Sequence, residues 1–230
     1  MKTIGLVGGM SWESTQEYYR IANERVKARL GGFHSARIVM YSVDFDEVES
    51  RQHAGRWDDL TTLMIDAAQR VEAAGADCLL ICTNTMHLMA NDVQRAIGIP
   101  LLHIVDVTAK AVRARGFGKV GLLGTRFTME KDFYKGRLAE KHGLEVLVPE
   151  EKDREVIHSI LYHELCLGAV TDASKQAFRR IIAGLEARGA QGVILGCTEI
   201  PLIVKQADYA LPLFDTTTLH AEAAVDFALA

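Results

Sequence analysis

The chain has 230 residues, 49% of them hydrophobic, and a net charge of −4. That length can bury a large core and sits between one big domain and two small ones. Both signs of charge are interspersed, which leaves no basic patch for nucleic acid and no basic amphipathic helix for a membrane surface.

In chain order, short β-branched runs alternate with longer amphipathic stretches. The runs 3–7, 36–43, 77–82, 101–105, 119–123, 144–148, 192–195 and 211–214 are apolar and bounded by Gly, Pro and Asp. They read as strands of parallel sheets buried on both faces. None approaches the roughly 18 apolar residues that a membrane span requires. A strand-like run begins by residue 3, which predicts a chain without a signal peptide. Ser14-Thr15-Gln16-Glu17 has the form of a capping box and predicts a helix from there to about residue 30, with Tyr18, Ala22 and Val26 on its apolar face. Leu60, Met64, Ala67, Ala68 and Val71 recur at helical spacing, as do Phe178, Ile181, Ile182 and Leu185. The regular alternation predicts right-handed βαβ units.

A repeat sets the expected architecture. Residues 75–85 (GADCLLICTNT) align without gaps on 189–199 (GAQGVILGCTE), and 4–9 (IGLVGG) on 120–125 (VGLLGT). Pro100-Leu101-Leu102 and Asp106 resemble Pro212-Leu213-Phe214 and Asp215, each match lying roughly 110 residues from its partner. The expectation is two similar four-stranded α/β halves related by a pseudo-twofold axis. The repeat superposes Thr83 on Cys197 and Asn84 on Thr198, each just after a strand and before a helix. Ligands of open α/β sheets bind outside the carboxyl ends of the strands, where helix N-termini offer N–H groups to anions. If the halves face each other, one bound molecule has Cys197 on one side and Thr83 on the other.

Inverting a carbon acid needs one group to remove a proton from one face and another to deliver it to the opposite face. A thiol titrates near pKa ~8.5, close enough to neutrality for this work. A helix dipole contributes about 0.3–1 kcal/mol against about 1.4 kcal/mol per pKa unit, so backbone N–H bonds to sulfur are expected to lower the Cys197 thiol further. The four cysteines, Cys78, Cys82, Cys166 and Cys197, are too sparse for a disulfide scaffold and include no C-x-x-C pair. Free thiols fit a cytoplasmic protein; Cys78 and Cys166 read as structural. Gly8-Gly9 lacks the spacing of either common phosphate loop and reads as a tight turn. His87, His103 and His220 lack metal-ligand spacing, and His87 either orients the strand end or caps the following helix. Glu199 either polarises a neighbour or favours a helix N-terminus.

The motifs Thr83-Asn84-Thr85-Met86-His87 and Gly196-Cys197-Thr198-Glu199 resemble those of the aspartate/glutamate racemase family. Gly8-Gly9-Met10-Ser11, Asp44 and Leu123-Gly124-Thr125 add to the likeness, which covers nearly the whole chain. The resemblance implies a cofactor-independent amino-acid racemase with its site in the cleft between two domains. Domain 1 would comprise residues 1–105 and 215–230, with a last helix at about 216–229 packing back on it, and domain 2 residues 106–214. It implies that Cys197 acts on the L-enantiomer, that Asn84, Thr85, Thr125 and Thr198 bind the α-carboxylate and amino group, and that Met10 and Glu199 belong to the site. A homodimer is a further implication. For the distal carboxylate of a dicarboxylic substrate the family's region is Arg51-Gln52-His53, and Gln52 is favoured over Arg126 and Lys131. One departure stands out: the family's first cysteine is Thr83 here. Cys82 precedes it, and side-chain alternation turns Cys82 away from the cleft. Thr83 is expected to donate a proton to the second face as a much weaker base than a thiolate. Two other readings remain open: an arylmalonate decarboxylase-like enzyme, which also works with a single cysteine, and a non-catalytic amino-acid-binding module.

Overall fold

A computed structural model describes residues 1–230. In chain order the elements are β1 (Ile4–Gly8), α1 (Trp12–Leu30), β2 (Ile38–Ser42), α2 (Phe45–His53), α3 (Trp57–Ala73), β3 (Cys78–Ile81), α4 (Ala90–Ala96) and α5 (Ile104–Ala114). There follow β4 (Lys119–Gly124), α6 (Arg126–Glu130), α7 (Asp132–His142), β5 (Glu145–Leu147), α8 (Glu151–His163), α9 (Asp172–Ala187), β6 (Val193–Gly196), β7 (Leu213–Asp215) and α10 (Thr216–Leu229). No helix is long and apolar enough to cross a membrane. The chain divides into two compact units, Met1–Ile104 with Thr217–Ala230, and Val105–Thr216.

In the first unit three parallel strands lie in the order β2-β1-β3. Both faces of this sheet are covered, so its strands read as apolar runs. Leu79 and Ile81 join a cluster with Leu60, Met64, Ala67 and Val71 of α3. Cys78, Leu80 and Cys82 join the opposite cluster, with Tyr18, Ala22 and Val26 of α1 and Ala221, Ala224 and Val225 of α10. The second unit has four parallel strands, β5-β4-β6-β7, with α8 and α9 packed over Leu123, Val193 and Leu195. On its α5 side the Asp106 carboxylate takes hydrogen bonds from Arg137, Lys141 and His142 at 2.6–2.8 Å, tying α7 to α5. Burial alone would raise this carboxyl; those three partners hold it far below the usual range.

The order first-second-third strand about a central first strand is the same in both units, as a duplicated unit requires. The fourth strand differs. Residues 101–105 were expected to form one, but the first unit keeps only an isolated bridge between Leu79 and Leu101, so its sheet has three strands. Two buried histidines bind the chain just beyond that bridge. His220 Nε2 lies 2.6 Å from the Leu102 carbonyl, so that nitrogen carries the proton and Nδ1 accepts from the Tyr18 hydroxyl at 3.0 Å. Ile104 N–H donates to His87 Nε2 at 3.2 Å, and α5 starts at that residue. The predicted capping box is also displaced: Ser11 caps α1, its Oγ accepting from Ser14 N–H at 3.4 Å, while the Ser14 and Thr15 hydroxyls bond back to the Ser11 carbonyl.

Burial lowers the His220 pKa from 6.5 to about 4, although its bond to Leu102 opposes the shift. The unfolded chain therefore takes up a proton near pH 6.5 that the folded chain refuses until about pH 4. Stability from this residue is fully present above pH 6.5 and declines as the pH falls toward 4, by roughly 3 kcal/mol in all. Urea unfolding at a series of pH values should show this acid limb in the native protein. In His220→Gln it should be flattened, from a lower starting stability at neutral pH.

Candidate functional site

Each unit ends a buried strand in a comparable way. After β3 the chain makes a tight turn, Thr83 N–H reaching the Ile81 carbonyl at 2.8 Å, and enters a 3₁₀ turn at Thr85–Met89. After β6 it passes Cys197, Thr198 and Glu199 into a 3₁₀ turn at Ile200–Leu202. A helix was expected at both places; in the first unit α4 follows the 3₁₀ turn at Ala90, and in the second only the 3₁₀ turn forms. Pro201 opens the second turn, which is only three residues long, so the aligned dipole invoked to activate a thiol is missing.

In the first unit, Thr83 is half-buried while Asn84 and Thr85 are buried. Asn84, and not Thr83, occupies the cap position of the 3₁₀ turn. The Thr83 carbonyl is held by His87, whose Nδ1 lies 2.8 Å away and must be the donor because a carbonyl only accepts. His87 thus bonds Thr83 through one ring nitrogen and Ile104 through the other, and its ring lies 4.7 Å from that of His103, tilted by 54°. Orientation of the strand end is its role here. Cys82, by contrast, is fully buried among Leu80, Tyr18 and Val225, and burial pushes its thiol far above the ordinary range. Cys78 is raised to about 11 for the same reason.

The turn after β1 is built on Gly8 and Gly9. Gly9 has φ +91°, and a Cβ there would lie 2.2 Å from the Val43 carbonyl oxygen. The close approach is thus between the ends of β1 and β2, with Gly9 N–H donating to Thr15 Oγ1 at 2.9 Å. Met10 is buried beside Val7, Val48 and Met86. Gln52, on α2, is buried and donates from Nε2 to the Met86 sulfur at 3.2 Å. Its neighbours turn elsewhere, Arg51 to Glu47 and His53 to Glu49.

In the second unit the Cys197 thiol donates to Glu199 Oε2 at 2.9 Å, and the Thr198 hydroxyl donates to the same oxygen at 2.9 Å. All three residues are buried. Burial pushes the Cys197 thiol well up, and the negative charge of Glu199 and the nearby Cys166 push it further; a backbone bond at Glu199 opposes them only in part. The expected lowering of this thiol is therefore corrected. The thiol is held protonated, hydrogen-bonded to the Glu199 carboxylate. Thr125 caps α6, its Oγ1 accepting from Thr128 N–H at 3.3 Å. Beside it Arg126 N–H donates to His158 Nδ1 at 3.3 Å, and the His158 ring contacts Phe127 and Tyr162. His158 carries no signal in the sequence, being one histidine on an amphipathic helix. No group of three or more His, Cys, Asp or Glu side chains is arranged to hold a metal ion.

Replacing Glu199 by Gln removes the charge that opposes thiolate formation. Alkylation of the Cys197 peptide by iodoacetamide, followed by mass spectrometry against pH, should have its midpoint at lower pH in Glu199→Gln than in the native protein. An unchanged midpoint would mean that Glu199 does not control this thiol.

A family model described as Asp/Glu/Hydantoin racemase matches residues 7–224. A solved Yersinia pestis structure, provisionally assigned as an Asp/Glu racemase, is 54% identical over 100% of both chains with a TM-score of 0.94. An aspartate racemase homologue from Pyrococcus horikoshii is 37% identical over 100% of both chains, with a TM-score of 0.87. The broad specificity amino-acid racemase RacX of Bacillus subtilis is 24% identical over 177 residues, 75% of this chain and 74% of that protein. With two parallel-sheet α/β units, matched strand ends and a family match over nearly its whole length, the chain belongs to the Asp/Glu/Hydantoin racemase family.

Proposed function

We propose that this isomerase racemises aspartate or glutamate without a cofactor, by proton transfer at the α-carbon. Cys197 serves the L-face and Thr83 the opposite face. The observation that carries this reading is the hydrogen bond from the Cys197 thiol to Glu199. Removing an α-proton needs a thiolate, and the thiol proton has an acceptor 2.9 Å away on which to wait. The protonated thiol that results when the substrate proton arrives on sulfur can return it to the same face. A threonine hydroxyl can deliver a proton to a carbanion but is a poor base, so delivery from the Thr83 side limits inversion. Asn84, Thr85, Thr125 and Thr198 are assigned to the α-carboxylate and amino group, where hydrogen-bond donors also stabilise the enolate-like charge that grows during proton removal.

A dicarboxylic substrate suits Gln52. Its amide N–H is held by a thioether, a weak acceptor, and a carboxylate oxygen would replace that bond with a stronger charge-assisted one. The names of the Pyrococcus and Bacillus relatives, an aspartate racemase homologue and a broad specificity enzyme, point to amino acids of both narrow and wide range. The single thiol on this strand-end pair also favours a second reading, decarboxylation of an arylmalonate followed by protonation from Cys197.

Chiral chromatography of L-aspartate and L-glutamate reactions tests the assignment. Cys197→Ser should lower racemisation by at least about 100-fold, the usual worth of a positioned acid–base group. Thr83→Cys should raise it by about 10-fold or more, since it supplies a thiol to the limiting face. Unchanged inversion in Thr83→Cys would remove Thr83 from the mechanism. Turnover of an arylmalonate, with none of either amino acid, would select the second reading.

A further inference from the structure

Gly124 and Gly196 are paired in register at the ends of β4 and β6, so Thr125 and Cys197 leave neighbouring strands side by side. A Cβ on Gly124 would lie 2.7 Å from the Gly196 carbonyl oxygen, which shows how closely the two chains approach. The direction of Thr125 therefore matters to any molecule held at Cys197. Its backbone is extended, with φ −63° and ψ 161°, and it caps α6. The peptide that follows is held at both ends. The Thr125 carbonyl accepts from Met129 N–H at 3.0 Å. Arg126 N–H donates to His158 Nδ1 at 3.3 Å. The first N–H groups of a helix have no partner within it. Here the first of them is taken by a side chain of α8, 32 residues further along the chain.

His158 is itself held in place. Its ring meets Phe127 edge-on, with centroids 6.0 Å apart, and lies 4.7 Å from the ring of Tyr162, one turn further along α8. One turn earlier on α8, Arg154 Nε donates to Glu130 Oε1 at 3.0 Å, and Glu130 lies one turn after Arg126 on α6. The two helices thus meet antiparallel, turn for turn. Beneath them Ile157, Ile160 and Leu161 of α8 share a core cluster with Leu123, Met129 and Cys197. The Arg154–Glu130 pair ties helix to helix, but it is His158 that reaches the backbone at Thr125. A ring nitrogen that accepts carries no proton, so the neutral His158 ring is protonated on Nε2.

We propose that His158 is a positioning residue for the reaction: its Nδ1 fixes the Thr125–Arg126 peptide, and through it the direction in which the Thr125 side chain leaves the strand end beside Cys197. The inference rests on the assignment of Thr125 to the α-carboxylate and amino group of the substrate. Without the acceptor, Arg126 N–H turns to water and the peptide plane is free to rotate about the Thr125 backbone. Thr125 Oγ1 then moves, while the groups assigned to proton transfer stay as they are. Small misplacements of a substrate-holding group are felt in the rate.

Racemisation of L-aspartate and L-glutamate by the full chain, with amide hydrogen exchange at residue 126, tests the proposal. His158→Phe keeps a ring against Phe127 and Tyr162 but has no acceptor. His158→Asn lacks the ring but sets Oδ1 where Nδ1 was. The Arg126 amide should be protected in the native protein. His158→Phe should lower kcat/KM about 5-fold, the net worth of one neutral hydrogen bond, and speed exchange at residue 126 by about 10-fold or more. His158→Asn should restore both. Arg126→Pro removes the donor, and proline is accepted at the first position of a helix after an extended residue. On that background His158→Phe should have no further effect, because the bond it breaks is already absent. If Arg126→Pro does not fold, His158→Phe, His158→Asn and the exchange data decide. A ring that only packs would give the reverse, His158→Phe tolerated and His158→Asn impaired, and that result would overturn the proposal. Fast exchange at residue 126 in the native protein, or equal losses from His158→Phe on both backgrounds, would overturn it too. A native protein that racemises neither amino acid would strike the racemase reading and this inference with it. Native racemisation left unchanged by His158→Phe would strike the inference alone.

Discussion

Side chains along β3 have to alternate between two packed faces, and there is no slack on either. Leu79 and Ile81 fill the α3 side, while Cys78, Leu80 and Cys82 fill the side closed by α1 and α10. A one-residue slip would exchange every one of these contacts. That constraint removes Cys82 from chemistry although it is adjacent to the strand end, because its sulfur is buried in an apolar cluster that disfavours the thiolate. It leaves Thr83 as the residue presented beyond the strand, with its backbone pinned by His87. The equivalent strand β6 sets Cys197 in the corresponding place. At that place the two halves differ in the side chain itself, a hydroxyl at Thr83 and a thiol at Cys197.

Low dielectric around Cys197 works against a free thiolate and in favour of a shared proton. A buried thiol next to a buried carboxylate is stable only with the proton between them, and the hydrogen bond to Glu199 is that arrangement. The Thr198 hydroxyl on the same carboxylate oxygen restrains Glu199 further. The proposed proton transfer requires the sulfur to lose that proton before Cys197 can act as a base. Such a pair suits a reaction in which one sulfur must both remove and return a proton.

The parts of this architecture legible in the sequence are those governed by periodicity. Apolar runs located the strands, helical spacing located the buried faces of α3 and α9, and the expected last helix lies at Thr216–Leu229. The burial of Cys82 followed from alternation. What was not legible depends on contacts between distant segments. The first unit keeps one bridge in place of a fourth strand, and just beyond it His220 and His87 bond to Leu102 and Ile104, contacts that no spacing in the sequence reveals. Ser14 has the capping-box spacing and Ser11 does not, yet it is the Ser11 hydroxyl that caps α1, three residues earlier. Glu199 read either as a helix-terminus acid or as a group polarising a neighbour; a one-turn 3₁₀ segment follows it and its carboxylate meets Cys197, whose thiol is raised by burial first and by the Glu199 charge next, against the expected lowering. His158 came to notice only through its bond with Arg126.

The most direct test of the proposed proton transfer, Cys197 serving the L-face of the substrate and Thr83 the other, is α-proton exchange in deuterated water. L-aspartate and D-aspartate would be followed separately by proton NMR for exchange and by chiral chromatography for inversion. The account predicts that the L-enantiomer exchanges its α-proton with retention much faster than it inverts, that the D-enantiomer exchanges slowly, and that Cys197→Ser abolishes the fast exchange. Equal exchange from both enantiomers would contradict it, since a second base of thiolate strength would then have to face Cys197.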